Sequence, residues 1–413
     1  MIPQRQASTS EAGFTLAEML VSLAVTALLL VGVLFTFDLN SRVARAQSNL
    51  SDLQQSLRVA QDDMVRLVRM AGRGSLPLTL PGSMPLPQGL ALGVRDNVPN
   101  NQFMFGTDEA TRILPGTDVL TVRGVFGPLY QVNVAGSATF DDPNAPTSGH
   151  LTILDVTPGG ATQDLEPIKT AIKTGTPEAI FLAAAVSDAI QAVVELNPDP
   201  GSSSIADHQV VIAFRITGGT RTDKYSQLST GGTFQKAVEN VAFAGILEEH
   251  RYYVREEHVI AGDRTSDLAP KLARARFYPG TNDPYKGEAG NTHLDLADNI
   301  VDLQVALAFD TANGGSGYPL LETANGTNDD WLFNGAADDA TAVLWQGPPV
   351  PAIQYVRVTT LARTDRRDPK YQAPLLPSNL ENRAYASGDP LNSYASRMYR
   401  WQTLRTVIDL RNL

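Results

Sequence analysis

Apolar and polar positions divide this chain into a helical N-terminal part and a β-rich remainder. Residues 14–37 are apolar, small or hydroxylated with one exception, the acid Glu18. A helix of this length spans roughly 36 Å, enough to cross a hydrocarbon core of about 30 Å. The pattern therefore predicts a transmembrane helical segment at 14–37 that carries a costly carboxylate close to its start.

The helical pattern continues through residues 38–72. Apolar or small residues recur at alternating spacings of three and four, which is typical of an amphipathic helix, and Gly72, Gly74 and Pro77 end the pattern. We expect the apolar stripe to pack on the chain's own sheet, with a coiled coil between copies as the alternative. The stripe consists of Val43, Ala46, Leu50, Leu53, Leu57, Ala60, Met64, Leu67 and Ala71.

Beyond residue 77 the helical period disappears, and short apolar runs alternate with turn residues, which predicts antiparallel sheet. The predicted fold class is α+β: a long N-terminal helix, its first half transmembrane, packed on antiparallel sheet in a head at 77–413. Two long segments, 157–207 and 311–345, are predicted as insertions that enlarge the head. The predicted strands are 119–126, 130–136, 150–156, 179–185, 191–196, 208–216, 250–257, 273–279, 300–309, 353–363 and 404–411.

Composition limits the chemistry of the chain. It has 413 residues, 43% of them hydrophobic, a net charge of −11, no cysteine and five histidines. The absence of cysteine excludes disulfides, thiol nucleophiles and thiolate metal sites. An acidic chain is a poor general binder of nucleic acid. The sequence contains no nucleophile elbow, zinc-protease motif or phosphate loop, so we do not expect an enzyme.

Oxygen-bearing side chains are concentrated in the loop 310–345. The regular calcium-loop spacing is absent, so a solvated acidic loop is the prediction and an irregular calcium site the alternative. The candidate calcium ligands are Asp310, Asn313, Asn325, Asn328, Asp329, Asp330, Asp338 and Asp339.

Four further groups of residues contain chemistry that could form a site, and each has a structural interpretation. The adjacent acids Glu248-Glu249 and Glu256-Glu257 are predicted to face solvent on opposite sides of a strand, which makes them poor acid–base partners. A zinc trio of His250, His258 and His293 is not expected. The remaining groups are a basic cluster, predicted to form a salt-bridged turn with Asp365 and Asp368, and an aromatic group, predicted to pack beside the last strand. Their members are Arg363, Arg366, Arg367 and Lys370, and Tyr394, Tyr399 and Trp401.

The N-terminal sequence Gly13-Phe14-Thr-Leu-Ala-Glu18, followed by the apolar span, resembles the class III signal of type IV pilins and type II secretion pseudopilins. Further along the chain, 250–258, 296–311, 353–365 and 399–412 resemble the PilW family of minor pilins. The closing LRTVIDLRN is also similar to the end of the J-type pseudopilin of type II secretion.

This resemblance implies processing and assembly. A prepilin peptidase would remove the leader 1–13 by cutting between Gly13 and Phe14, and would N-methylate Phe14. Glu18 would pair with the amine of a neighbouring subunit. The chain would be a single-pass inner-membrane protein with a periplasmic head that is incorporated into a pilus.

The implied function is that of a minor pilin that initiates or caps pilus assembly. The alternatives are a tip component of the type II secretion pseudopilus and a pilus-tip adhesin. The implied partners are other minor and major pilins, the prepilin peptidase and the inner-membrane assembly platform. We expect no cofactor, metal or nucleic acid.

Overall fold

The chain divides by its contacts into two units, with the division between Asp52 and Leu53. The computed structural model describes residues 15–73, 91–107, 111–132, 138–142, 144, 147–174, 178–184, 191–197, 201–216, 225–226, 234–258, 268–282, 284–285, 293–309, 331–335, 353–377, 379–385 and 388–410.

A long helix, α1 (Leu16–Arg69), passes through the division between the units. Its sequence contains no proline and one glycine, Gly32, so no residue in it forces a break. After the helix, Gly72 adopts a φ of 75°, in the left-handed region that glycine tolerates. The N–H of Gly72 donates to the carbonyl of Arg123 at 3.0 Å, which joins the helix end to the sheet.

The apolar stripe of α1 is buried from Leu53 onward, inside the second unit. This part of the helix packs on the chain's own strands, as predicted. Earlier in the stripe Val43 is 47% exposed, so complete burial begins with the second unit. The buried stripe residues are Leu53, Leu57, Ala60, Met64, Leu67 and Ala71.

Twelve of the described strands form one large sheet in which every pairing is antiparallel. Its main path has the order β1-β2-β10-β6-β7-β9-β5-β4, with β11 and β3 on β10, β12 on β11, and β8 on β9. The strands are β1 (Leu92–Arg95), β2 (Val119–Gly124), β3 (Tyr130–Gln131), β4 (Ala138–Phe140), β5 (Ser148–Leu154), β6 (Ala179–Ala184), β7 (Gln191–Leu196), β8 (Ser204–Ile205), β9 (Gln209–Arg215), β10 (Val241–His258), β11 (Leu268–Phe277) and β12 (Leu294–Asp298).

The C-terminal part of the described chain forms a second antiparallel sheet, with the order β14-β13-β15-β18, and a separate pair, β16-β17. Between the last strand of the large sheet and the first of the second, Asn299 has a φ of 62°, a left-handed conformation that asparagine tolerates. The strands are β13 (Ile300–Phe309), β14 (Trp331–Leu332), β15 (Ile353–Arg363), β16 (Asn379–Leu380), β17 (Arg383–Ala384) and β18 (Trp401–Asp409).

Two short helices, α2 (Glu166–Thr174) and α3 (Phe234–Glu239), pack on the large sheet. Ile168 and Ile172 of α2 and Val238 of α3 share a buried cluster with Ile180 of β6 and Val194 of β7. The segment 157–207, predicted as an insertion, thus supplies α2 and the strands β6 and β7 to the middle of the sheet. The α+β class of the fold, with a long N-terminal helix on antiparallel sheet, is confirmed.

Candidate assembly site

The first turn of α1 places Glu18 next to Thr15, and together they form a capping box. The backbone N–H and the hydroxyl of Thr15 both donate to Glu18 Oε2, each at 2.9 Å. In return the Glu18 N–H donates to Thr15 Oγ1 at 3.3 Å. This reciprocal pair fixes the helix start and holds the carboxylate at the N-terminal end. Gly13 and Phe14, the predicted cleavage residues, lie outside the described residues.

The helical surface after Glu18 is apolar and exposed. Leu16–Arg69 is the one described helix that is long and apolar enough to cross a membrane, and its most apolar window is not buried against the rest of the chain. Leu28 and Phe35, for example, are more than 70% exposed. An apolar surface of this size needs lipid or other apolar helices around it.

Hydroxyl groups within the apolar span form hydrogen bonds inside the helix itself. Thr26 Oγ1 donates to the Ser22 carbonyl at 2.7 Å, and Thr36 Oγ1 donates to the Gly32 carbonyl at 2.9 Å. These side chains therefore need no outside partner in an apolar environment.

A recess lies on the same helix around Gly32, and its walls include Leu28, Leu29, Val33 and Phe37. A Cβ added at Gly32 would meet no atom within 4 Å. The missing side chain leaves room for the close approach of another helix, as small residues do in membrane helix pairs.

The second part of α1 is attached to strands through two polar residues. On one side, Gln61 Nε2 donates to Thr360 Oγ1 of β15 at 3.1 Å and to the Leu404 carbonyl of β18 at 2.8 Å. On another, Asp63 accepts from Tyr252 Oη at 2.8 Å and pairs with Arg274 at 2.8 Å. Gln61 thus bonds to the second sheet and Asp63 to the large one.

In the pair Glu248-Glu249, Glu249 is fully buried and the Glu248 side chain is only 18% exposed, so the predicted solvent exposure of the pair is wrong. Glu248 pairs with His250 at 2.8 Å, and Glu249, fully buried, pairs with Arg123 at 2.6 Å and Arg251 at 2.5 Å. The two side chains face opposite sides of β10, as strand alternation predicts. Burial by itself would raise the pKa of Glu249, but the charges of Arg123 and Arg251 outweigh it and lower that pKa to about 2.

The basic cluster and part of the aromatic group pack against each other, but Tyr394 is 66% exposed, so its predicted packing is wrong. The guanidinium groups of Arg363 and Arg367 lie 4.4 and 5.6 Å from the ring centre of Tyr399, which in turn packs edge-on against Trp401. Arg366 is paired with Asp365 at 3.7 Å. No cluster of three histidines and acids that could hold a metal occurs in the described part of the chain. The candidate calcium ligands of 310–345 lie outside it.

Sequence reasoning missed a buried ionic centre between β15 and the β16–β17 pair. Glu381 pairs with Arg357 and with Arg405 at 3.1 Å, and it accepts from Thr359 Oγ1 at 2.6 Å. Glu381 has a φ of 51°, unusual for a non-glycine residue. Its partners are distant in sequence, so no local pattern could have indicated it.

Two family models match the chain. Residues 8–34 match the prokaryotic N-terminal methylation motif, and residues 251–412 match PilW, the type IV pilus-assembly protein W. The PilW match spans the C-terminal segments that resemble the PilW family in the sequence. The predicted resemblance is therefore confirmed.

A comparison with solved structures was also made by fold. Three solved chains match. One of them is a type IV-like pilin from Thermus thermophilus, which is 12% identical in sequence. The aligned region covers 59% of this chain and 91% of that pilin, with a TM-score of 0.19. No curated protein matches the sequence.

Proposed function

We propose that this PilW-like protein, a structural, non-enzymatic minor pilin of type IV pili, helps to initiate or cap pilus assembly through the first turn of α1. The observation that carries this proposal is the Thr15–Glu18 capping box at the start of an exposed apolar helix, inside the matched methylation motif.

Cleavage between Gly13 and Phe14 would create an amine directly before Thr15. Both side-chain bonds from Thr15 end on Glu18 Oε2. A carboxylate has about four lone-pair positions, so Oε1 can accept a hydrogen bond from the amine of a neighbouring subunit while the capping box stays formed. A carboxylate at the centre of a bilayer costs about 2.5–3.5 kcal/mol, and Glu18, close to the start of the span, bears part of that cost. Pairing with an amine offsets this cost and fixes the register of the two helices.

The size of the second unit supports a terminal position in the filament. This unit, Leu53–Leu413, holds the large sheet and the second sheet. A subunit with a wide head is least restricted by neighbours at a tip or in an initiating complex. Before assembly, the helix would anchor the chain in the inner membrane with the head in the periplasm. Other pilins and the assembly platform would be its partners.

The first test is mass spectrometry of the mature N-terminus. We expect a chain that begins with methylated Phe14 in cells with an active prepilin peptidase, and an intact leader in cells without one. A mature chain that keeps Met1, or is cut elsewhere, in cells with the peptidase would refute the processing step.

The pairing role is tested with Glu18→Ala. We expect this variant to be cleaved and to reach the membrane, but to be lost from sheared filaments, because its helix lacks the carboxylate that pairs with the neighbour. The matched control is Glu11→Ala, which removes an acid from the leader and so leaves the mature chain unchanged. Equal incorporation of both variants would contradict the proposal. Recovery of the wild-type chain with type II secretion components instead of pili would favour the pseudopilin alternative.

A further inference from the structure

We propose that the face of the large sheet directed away from α1 carries a binding site for a small organic acid, with a carboxylate held by arginines and an apolar body beside it. The site is a cavity of about 410 Å³, here named the arginine pocket, whose lining includes Arg95, Arg123, Arg251, Thr121, Asn282 and Met104. It lies entirely in the second unit and does not depend on the proposed role in assembly.

The register of three neighbouring strands brings these side chains together. Arg251 of β10 is opposite Thr121 of β2, which is opposite Gly93 of β1. Arg123, the next residue of β2 on the same face as Thr121, is opposite Glu249 of β10. Successive strand residues alternate between faces. Tyr252 donates to Asp63 of α1, so its neighbour Arg251 is on the face away from the helix.

Space in the pocket follows from the same row of residues. Gly93 ends the row on β1 without a side chain. The volume falls within the range of about 300–1,000 Å³ that is usual for small-molecule sites.

Positive charge in the pocket exceeds negative charge. Three arginines and no acid occur among the described lining residues. Behind them the single carboxylate of Glu249 is shared by Arg123 and Arg251. Arg95 donates to the neutral Gln102 Oε1 at 2.6 Å. The chain as a whole has a net charge of −11, so this excess is local.

The ionisation of Arg95 is consistent with this excess. Partial burial, and then repulsion from the charge of Arg251, lower the pKa of Arg95. An anion bound between the two guanidinium groups would remove that repulsion. The guanidinium of Arg251 already donates to Glu249, to Asn282 Oδ1 at 3.2 Å and to the Thr281 carbonyl at 2.6 Å. Arg251 therefore contributes mainly charge, and the hydrogen bonds that orient the carboxylate are assigned to Arg95.

Apolar side chains define the second half of the ligand. Met104 and Val119 line the pocket and belong to a buried cluster with Tyr253 and Phe277. The guanidinium of Arg251 lies 3.9 Å from the ring centre of Phe277, which fixes its position. A cationic end beside an apolar wall suits an organic acid better than an inorganic oxyanion.

Calorimetry on the full chain in detergent micelles tests the site with three probes: benzoate, its neutral analogue benzamide, and inorganic phosphate. We expect saturable benzoate binding that raises the unfolding temperature, and affinities at least about tenfold lower for benzamide and phosphate, because only benzoate combines the charge with an apolar body. Arg95→Gln should weaken benzoate binding at least about tenfold. Arg366→Gln, which removes a highly exposed arginine elsewhere, is the matched control and should bind as the wild type does.

If Arg95→Gln does not fold, Thr121→Val is the second variant, since it keeps the shape of the side chain. We expect Thr121→Val to bind benzoate several-fold more weakly than the wild type. The proposal is overturned if the wild type shows no saturable benzoate binding, or if benzamide or phosphate binds equally well. It is also overturned if a folded Arg95→Gln or Thr121→Val protein keeps full affinity.

Discussion

The two units of the chain differ in how far along the sequence their polar side chains find hydrogen-bond partners. In the first, Glu18 bonds to Thr15 three residues away, and Thr26 and Thr36 bond within one helical turn. In the second, Glu249 is held by Arg123, 126 residues away along the chain. The first unit can therefore change its surroundings from lipid to other helices without losing these bonds. The second unit depends on the complete tertiary fold to stabilise its buried charges.

The largest effect that separates the two units is expected for Glu249→Gln. Removal of the charge leaves the buried Arg123 without its carboxylate, which typically costs about 3–5 kcal/mol. Chemical denaturation of the full chain in detergent micelles measures this loss. Glu239→Gln, at an exposed position on α3, is the control and should change the unfolding free energy by less than about 0.5 kcal/mol. Similar values for both variants would show that the buried pairing contributes little.

The same carboxylate makes stability depend on pH. Its ordinary pKa of 4.5 is lowered to about 2 in the folded chain. A lowered folded pKa contributes stability above the unfolded value, and this contribution is lost as pH falls. The unfolding free energy of the wild type should thus decrease between pH 4.5 and about 2 more than that of Glu249→Gln. Parallel pH profiles for the two proteins would contradict the assignment.

Two leucines on α1, one in each unit, compare the effect of the two units on stability within a single helix. Leu57 is 1% exposed, and Leu57→Ala should destabilise the head by about 2–5 kcal/mol because it leaves a cavity. Leu29 is 66% exposed, and Leu29→Ala should change head unfolding by less than about 0.5 kcal/mol. Thermal unfolding of both variants in micelles provides the measurement. A comparable loss for Leu29→Ala would mean that the apolar span stabilises the head.

Gly32→Leu is expected to have the smallest effect on stability and a selective effect on assembly. Open space at this position means that the longer side chain fits within the chain itself. It fills the recess available to a neighbouring helix, so incorporation into sheared filaments should decrease while head unfolding stays unchanged. Ala27→Leu, about 140° away around the helix, is the control. Wild-type incorporation of Gly32→Leu would show that the recess is not a helix contact.

Local pattern predicted the elements whose own residues carry the signal. The strand predicted at 353–363 is β15 with the same bounds. The strand predicted at 250–257 is the longer β10, Val241–His258. The part of β10 that the pattern does not predict contains Ala242, Ala244 and Gly245, which have weak strand preference. Pairing with β3 and β6 stabilises the extended conformation of this part. Local pattern places Glu249 in solvent, whereas the structure buries it, because its partner Arg123 lies on another strand, β2.

The sequence alone determined the helix, its apolar surface, the position of Glu18 and the α+β class, because these depend on spacing and on residue type within a few turns or one strand. The tertiary structure decided which charges are buried, that Asp63 and Gln61 join α1 to two different sheets, and that three arginines converge around one cavity. These features depend on strand order and register, which bring together residues that no local pattern connects.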